Sequence, residues 1–308
     1  MTTQKLPAGL IDDVISDLSL GTFGHNKTGK SSLLLSSPKP LIIYDLDRSI
    51  GRAIIRWHKQ NPTMRVKLVL ESEALDYNLL NGDWDVIIRQ VVVPTYLPGQ
   101  PVTGYINLWN DFFLQECIGV LDYPIASLGI DTGTILWAIA HRAHLEKAQQ
   151  NNSNRERLTQ IEYGIPNMEL RGIFNKARNS NKNFILVHHP KTAYGEGPIE
   201  DGRGNVKIVK NTPIGDTWDG FLHMGRAVDI TVEHMLWRWC KWEPCAQSGI
   251  AVHPLWDSGH TAHDPMLQEI IPVLRIVESG YSLKMNGMIV PNPTVQALID
   301  LVNKYKGE

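Results

Sequence analysis

GTFGHNKTGKSSLLLSS, residues 21–37, is the stretch whose reading decides the fold. Within it, Gly24-His25-Asn26-Lys27-Thr28-Gly29-Lys30-Ser31 fits G-x-x-x-x-G-K-[ST] at every position. The chemistry explains the spacing. Glycines let consecutive backbone N–H groups curl around a β-phosphate. The Lys30 ammonium reaches the β- and γ-oxygens, and the Ser31 hydroxyl is an oxygen ligand for Mg²⁺. The serines and leucines that follow open a helix whose N-terminal dipole faces the anion. Gly24, His25, Asn26, Lys27, Thr28, Gly29, Lys30, Ser31 and Ser32 are therefore the expected nucleotide-binding set, with ATP and Mg²⁺ as cofactors. The His25-Asn26-Lys27 centre has no explanation in a backbone cradle. Lys27 is open to two readings, one toward the γ-phosphate and one toward a neighbouring subunit.

Outward from this loop, apolar runs alternate between two periodicities. PKPLIIYDLD (38–47), MRVKLVL (64–70), IASLGID (125–131) and NFILVHHP (183–190) read as strands. SIGRAIIRWHKQ (49–60), TGYINLWNDFFLQECIGVL (103–121), TILWAIAHRAHLEKAQQ (134–150), PNMELRGIFNKARNS (166–180) and PTVQALIDLVNKYKG (293–307) read as helices. Pro166 suits the first turn of its helix. DLSLGTFG, before the loop, is only a modest apolar run, and residues 250–290 look irregular and partly β. The alternation predicts an α/β fold with a largely parallel central sheet. Residues 191–216 are glycine-rich with mixed charges and read as a long loop or hairpin.

Two of these strands end on acids. LGID places Asp131 at a strand tip, where it serves as the carboxylate behind Mg²⁺. LIIYDLD offers Asp45 and Asp47 after the strand that follows the loop helix; Asp47 is the preferred water-orienting group, and Asp45 reads as a turn cap. FILVHHP places His188 and His189 at a third strand tip.

The order of these elements, then DITVEH (229–234), resembles the RecA-like P-loop ATPase core, and most nearly the phage-encoded AAA-type single-strand annealing ATPases. That resemblance covers roughly residues 15–235. It implies Lys30, Asp47 and His189 as catalytic residues, with His189 as a sensor of the γ-phosphate. It implies Ser31 and Asp131 as Mg²⁺ ligands, and residues 190–216 as the segment facing single-stranded DNA. It further implies self-assembly into a ring or filament, a single-strand-binding protein as partner, and the cytoplasm (of the host, for a phage protein) as location. Residues 1–238 are the expected core and 239–308 an extension packing on it. Asp47 is one methylene shorter than the Glu of recombinases proper, and residues 82–124 are longer than the resemblance predicts. No arginine stands out as a trans-acting finger, with Arg226 and Lys210 the only candidates.

Bulk properties narrow the field further. The 308 residues are 43% hydrophobic and 20% charged, enough for a sizeable core. A net charge of −2 excludes a global positive field, so any DNA contact is local and salt-sensitive. Three cysteines make no disulfide framework and suit a reducing compartment. No apolar run approaches a membrane span, and MTTQKLPAGLIDDVISDL has no secretory pattern. Cys240-x4-Cys245 with His253, His260 and His263 has the residue types of a zinc set, but its four-residue Cys spacing lies at the edge of the ligand range and the segment reads better as a packed tail. Trp237, Trp239 and Trp242 read as core or subunit contact, and Arg171, Lys176, Arg178 and Lys182 as a solvated face or a DNA channel. Two other functions remain: a nucleotide-dependent scaffold with little hydrolysis, and a motor for DNA packaging or unwinding.

Overall fold

Strand β1 (Ser19–Gly24) runs through the middle of the sheet and is buried at every residue. Its polar Ser19 and Thr22 are buried with the rest, which is why the run before the loop looks only modestly apolar. The computed structural model describes residues 15–80, 84–200, 206–220, 227–240, 252–254 and 268–306. Downstream of β1 come β2 (Leu41–Asp45), β3 (Val66–Val69), β4 (Val86–Gln90), β5 (Ser127–Asp131) and β6 (Asn183–His188). After them follow β7 (Pro190–Glu200), β8 (Val206–Trp218), β9 (Ile230–Cys240), β10 (Val252–Pro254), β11 (Gln268–Ser279) and β12 (Ile289–Pro291).

Ten strands form one sheet in the order β12-β11-β9-β1-β6-β5-β2-β4-β3, with β10 beside β9. From β9 to β3 every pairing is parallel, whereas β10, β11 and β12 pair antiparallel. Parallel neighbours need helical crossovers. These are α1 (Lys30–Leu35) after β1, α2 (Ile50–Gln60) after β2, and α3 (Tyr77–Leu80) after β3. α4 (Tyr105–Asn107) leads into a π-helix (Leu108–Cys117), and α5 (Gly133–Asn151) and α6 (Gly164–Asn179) join β5 to β6. Strand β1 is separated from β5 by β6, so the loop strand and the acid-tipped strand are not neighbours. This is an α/β architecture, a mostly parallel central sheet flanked by helices, with antiparallel strands added at the C-terminal end.

Both faces of the sheet are covered, which is why the strands read as unbroken apolar runs. Leu41 and Ile43 of β2 face one cluster with Leu33, Leu34 and Leu35 of α1. Ile42 and Tyr44, on the opposite face, join Leu136 and Ile139 of α5 and Ile173 and Phe174 of α6. Helix α5 starts at Thr132, whose hydroxyl accepts from the Ile135 N–H at 3.3 Å. Pro166 does sit in the first turn of α6. The long segment between β4 and β5 contains the π-helix. It seats Trp109, Phe113 and Cys117 on the sheet and sends Glu116 to the buried Arg89 at 2.9 Å. A 3.6-residue period predicts an α-helix there; the wider i→i+5 winding is not visible in the spacing.

The boundary expected at residue 238 falls inside β9, whose ladder with β11 continues to Cys240↔Gln268. Helix α7 (Val295–Tyr305) buries Val295, Leu298, Ile299 and Val302 in the cluster that holds the α1 leucines. β7 and β8 form a separate two-stranded antiparallel ribbon, the hairpin form of the glycine-rich stretch. No helix among the described residues is long and apolar enough to cross a membrane.

Candidate functional site

The register of the sheet brings the strand tips together. Asp45 pairs with Asp131 across β2 and β5, Asp131 with Val187 across β5 and β6, and Phe23 with His188 across β6 and β1. All of these lie at the carboxyl ends of parallel strands, the edge where open α/β sheets bind ligands. A cavity of about 790 Å³ opens there. Of the loop residues, Asn26, Lys27, Gly29, Lys30, Ser31 and Ser32 line it, facing Asp47, Asp131 and His189.

Gly24, His25 and Thr28 shape the loop from outside the cavity. Gly24 has φ +149°, and a Cβ there would stand 2.5 Å from the carbonyl oxygen of His234, so only glycine lets β1 approach β9 this closely. Thr28 Oγ1 donates to the His25 carbonyl at 2.8 Å. Lys27 and Gly29 both have positive φ, 69° and 105°, and bend the chain into the turn that precedes α1. Such a turn directs successive N–H groups to one side. His25 lies 2.8 Å (Nε2 to Oδ2) from Asp216 of β8. The middle of the loop is thus tied to the ribbon.

Lys30 Nζ donates to the carbonyls of Gly24 and His25 at 2.6 and 2.8 Å. Burial lowers its pKa, and the carboxylates of Asp131 and Asp47 oppose that shift. Ser31 Oγ donates to Asp131 Oδ2 at 3.1 Å. Asp131 is 2% exposed, and burial, then Asp47 and Asp45, push its pKa up to about 7. A buried carboxylate beside a serine hydroxyl is an all-oxygen donor pair, the chemistry that suits Mg²⁺. These residues fit the ion that the loop implies.

Asp45 and Asp47 separate cleanly. Asp45 is 1% exposed, does not line the cavity, and is raised to about 6 by burial first and then by Asp47. Backbone N–H groups from Arg48 to Ile50 face its carboxylate and lower the pKa, but none reaches hydrogen-bonding geometry. Asp47 lines the cavity, accepts from the Ser49 N–H at 2.9 Å, and lies 4.0 Å from His189 Nε2.

The two histidines separate as well. His188 is buried, and burial lowers its pKa to about 4, so it is neutral. A Cβ on Gly133 would meet its ring at 2.6 Å, so α5 begins in direct contact with it. Its Nδ1 is 3.1 Å from the Asp219 carbonyl at the foot of the ribbon. His189 lies in the cavity, and its N–H donates to Thr134 Oγ1 at 3.0 Å. Thr134 Oγ1 in turn donates to the Asp219 carbonyl at 2.7 Å.

Three features escape the sequence reading. Arg48, Arg52 and Arg56 line the cavity from the turn before α2 and from α2 itself. Their spacing of four was legible, but it resembles any solvated helix face. Asp216 meets His25 across 191 positions. His234 lies buried against Gly24, and burial lowers its pKa to about 3.

Three members of the basic run read as a solvated face or a DNA channel are engaged within the fold. Arg178 pairs with Asp229 at 3.0 Å, Lys176 with Asp122 at 2.6 Å, and Lys182 donates to the Ile125 carbonyl at 2.8 Å. Among the described residues no group of three or more His, Cys, Asp or Glu is arranged as a metal site. Cys245, His260, His263, Arg226 and Trp242 lie outside the described residues.

No family model and no curated protein matches the chain. Among solved structures it is similar to a KaiC-like protein from the hyperthermophilic archaeon Pyrococcus horikoshii. That similarity has 9% identity over 90% of this chain and 89% of that one, with a TM-score of 0.35.

Proposed function

We propose that the protein is a Mg-ATP-dependent ATPase that assembles with itself and acts on single-stranded DNA in recombination, annealing or replication of the phage type. One observation carries the reading: Lys30, Ser31, Asp47, Asp131 and His189 line a single cavity at the strand tips. In this reading a Mg²⁺ ion held here would supply neutralisation of the negative charge on the phosphates. Loop amides and Lys30 hold the phosphates, and Ser31 and Asp131 hold the ion. Asp47 orients water for in-line attack. His189 touches the γ-phosphate end and shares Thr134 with the Asp219 carbonyl, a path from the cavity to the ribbon that faces DNA.

A scaffold with negligible hydrolysis is less well supported, because it does not need both Asp47 and Asp131 on the cavity wall. The test compares ATP turnover of the wild type and Asp47→Asn, with and without an unstructured oligonucleotide. Wild-type turnover is expected to rise with DNA, and Asp47→Asn to lower it by roughly 10²-fold or more, as for a lost base. Equal rates in the two proteins remove Asp47 from its role. Turnover indifferent to DNA removes the DNA assignment.

A further inference from the structure

The cavity wall carries more positive charge than a nucleotide needs. Five cations, Lys27, Lys30, Arg48, Arg52 and Arg56, stand against two carboxylates. Mg-ATP brings a charge of about −2, and its phosphates already have donors in the loop amides, Lys30 and Ser31. A cationic excess remains, and it lies with the arginines. Arg52 and Arg56 sit one turn apart on α2, about 6 Å along its axis. Arg48 precedes them in a turn with φ 57°. Among the described residues none of the three guanidinium groups has a carboxylate or hydrogen-bond partner.

Three unpaired guanidiniums on one cavity wall repel each other, and an anion between them relieves that repulsion. The helix has no need of them for packing, since Ile50, Ile54 and Trp57 supply its inward side. Arginine forks match phosphate oxygens bidentately, which a lysine does not do. A terminal phosphate offers more charge and more free oxygens to three forks than a phosphodiester does. The three arginines are solvent-exposed and line the same cavity as the loop residues.

We propose that Arg48, Arg52 and Arg56 form a second phosphate site. It takes a terminal phosphate, from a pyrophosphate or a phosphate monoester, beside a nucleotide held at Lys30. This rests on the nucleotide reading given above, and its test separates the two.

Inorganic pyrophosphate is titrated into wild-type protein saturated with Mg-ADP, and into Arg52→Ala/Arg56→Ala treated in the same way. The wild type is expected to take up pyrophosphate without releasing ADP. The double variant is expected to bind it roughly tenfold or more weakly, with ADP affinity held within roughly twofold. Arg52→Lys/Arg56→Lys, which keeps the charge, is expected to fall between the two. Displacement of ADP by pyrophosphate, or equal pyrophosphate affinity in wild type and double variant, overturns the second site. Competition by a thymidine oligonucleotide in place of pyrophosphate would assign the arginines to DNA and overturn the small-ligand identity. If Mg-ADP fails to bind, the function proposed above falls, while the arginine site is still decided. Lys30→Ala protein is then titrated with pyrophosphate alone, and the same dependence on Arg52 and Arg56 is expected.

Discussion

The ten-stranded sheet and the two-stranded ribbon are built on opposite principles. In the sheet every central strand is buried on both faces, and the reactive groups stand at strand ends whose register is fixed by neighbours on each side. The ribbon has one partner strand for each strand, bulges at Ala193/Tyr194 and Gly195/Gly197, and an exposed Tyr194. Its foot carries the ties to the sheet. His25 meets Asp216, and Phe23 packs edge-on against Trp218 at 6.0 Å. Rigid elements hold chemistry to tolerance. A ribbon fastened at its foot suits the reporting of what happens there.

If that division holds, a change at the loop should cost binding and leave the fold intact. Lys30→Ala is the harshest case. Nucleotide affinity is expected to fall by roughly 10²-fold or more, read by calorimetry, as for a lost charge-stabilising donor. The thermal midpoint should hardly move, because Lys30 donates only to two loop carbonyls. A collapse of the midpoint would mean that the loop is part of what holds the sheet together.

Asp131 sharpens the same contrast through pH. Its carboxyl is raised to about 7, so it holds a proton below that pH, and Mg²⁺ must displace the proton to bind. Mg²⁺-dependent nucleotide affinity should therefore fall as pH drops below about 7, by about tenfold per unit for one linked proton. Asp131→Asn should flatten that profile. Stability of the ion-free protein runs with the opposite sign. A raised carboxylate pKa favours the folded state most at low pH, and that advantage is lost as pH rises toward about 7. A profile that kept its slope in the variant would assign the proton elsewhere.

The smallest effect is expected in the ribbon. Asp216→Asn removes the charge facing His25, an exposed contact with about 0–1 kcal/mol at stake. Stability and DNA-free ATP turnover should be unchanged. Stimulation of turnover by single-stranded DNA should fall by roughly twofold to fivefold, within that energy. Full stimulation in the variant would show that signalling runs through Thr134 and Asp219 alone.

Much of this was legible beforehand for physical reasons. The loop announces itself by fixed spacing, and parallel strands by unbroken apolar runs. Nothing in the sequence shows the burial that separates Asp47 and His189 from Asp45 and His188. Alternation does not separate Asp45 from Asp47, since residues two apart share a face. What decides is that the strand ends at Asp45, leaving Asp47 in the turn that borders the cavity. The arginine wall was missed because a spacing of four marks a helix face without saying what the face looks onto. Contacts such as His25 with Asp216 and Gly24 with His234 depend on which distant strands become neighbours, and local periodicity carries no trace of that.

The closeness of Gly24 to His234 has a further consequence. Strand β9 is one wall of the corridor in which β1 runs, and β11 and β12 brace that wall from outside. A chain cut before β9 would leave β1 as an edge strand, its backbone N–H and C=O groups open to other chains. The glycine-rich loop of residues 24–31 hangs from that same strand. The C-terminal quarter is therefore a retaining wall for the loop, and a shortened protein should be judged first by its tendency to aggregate.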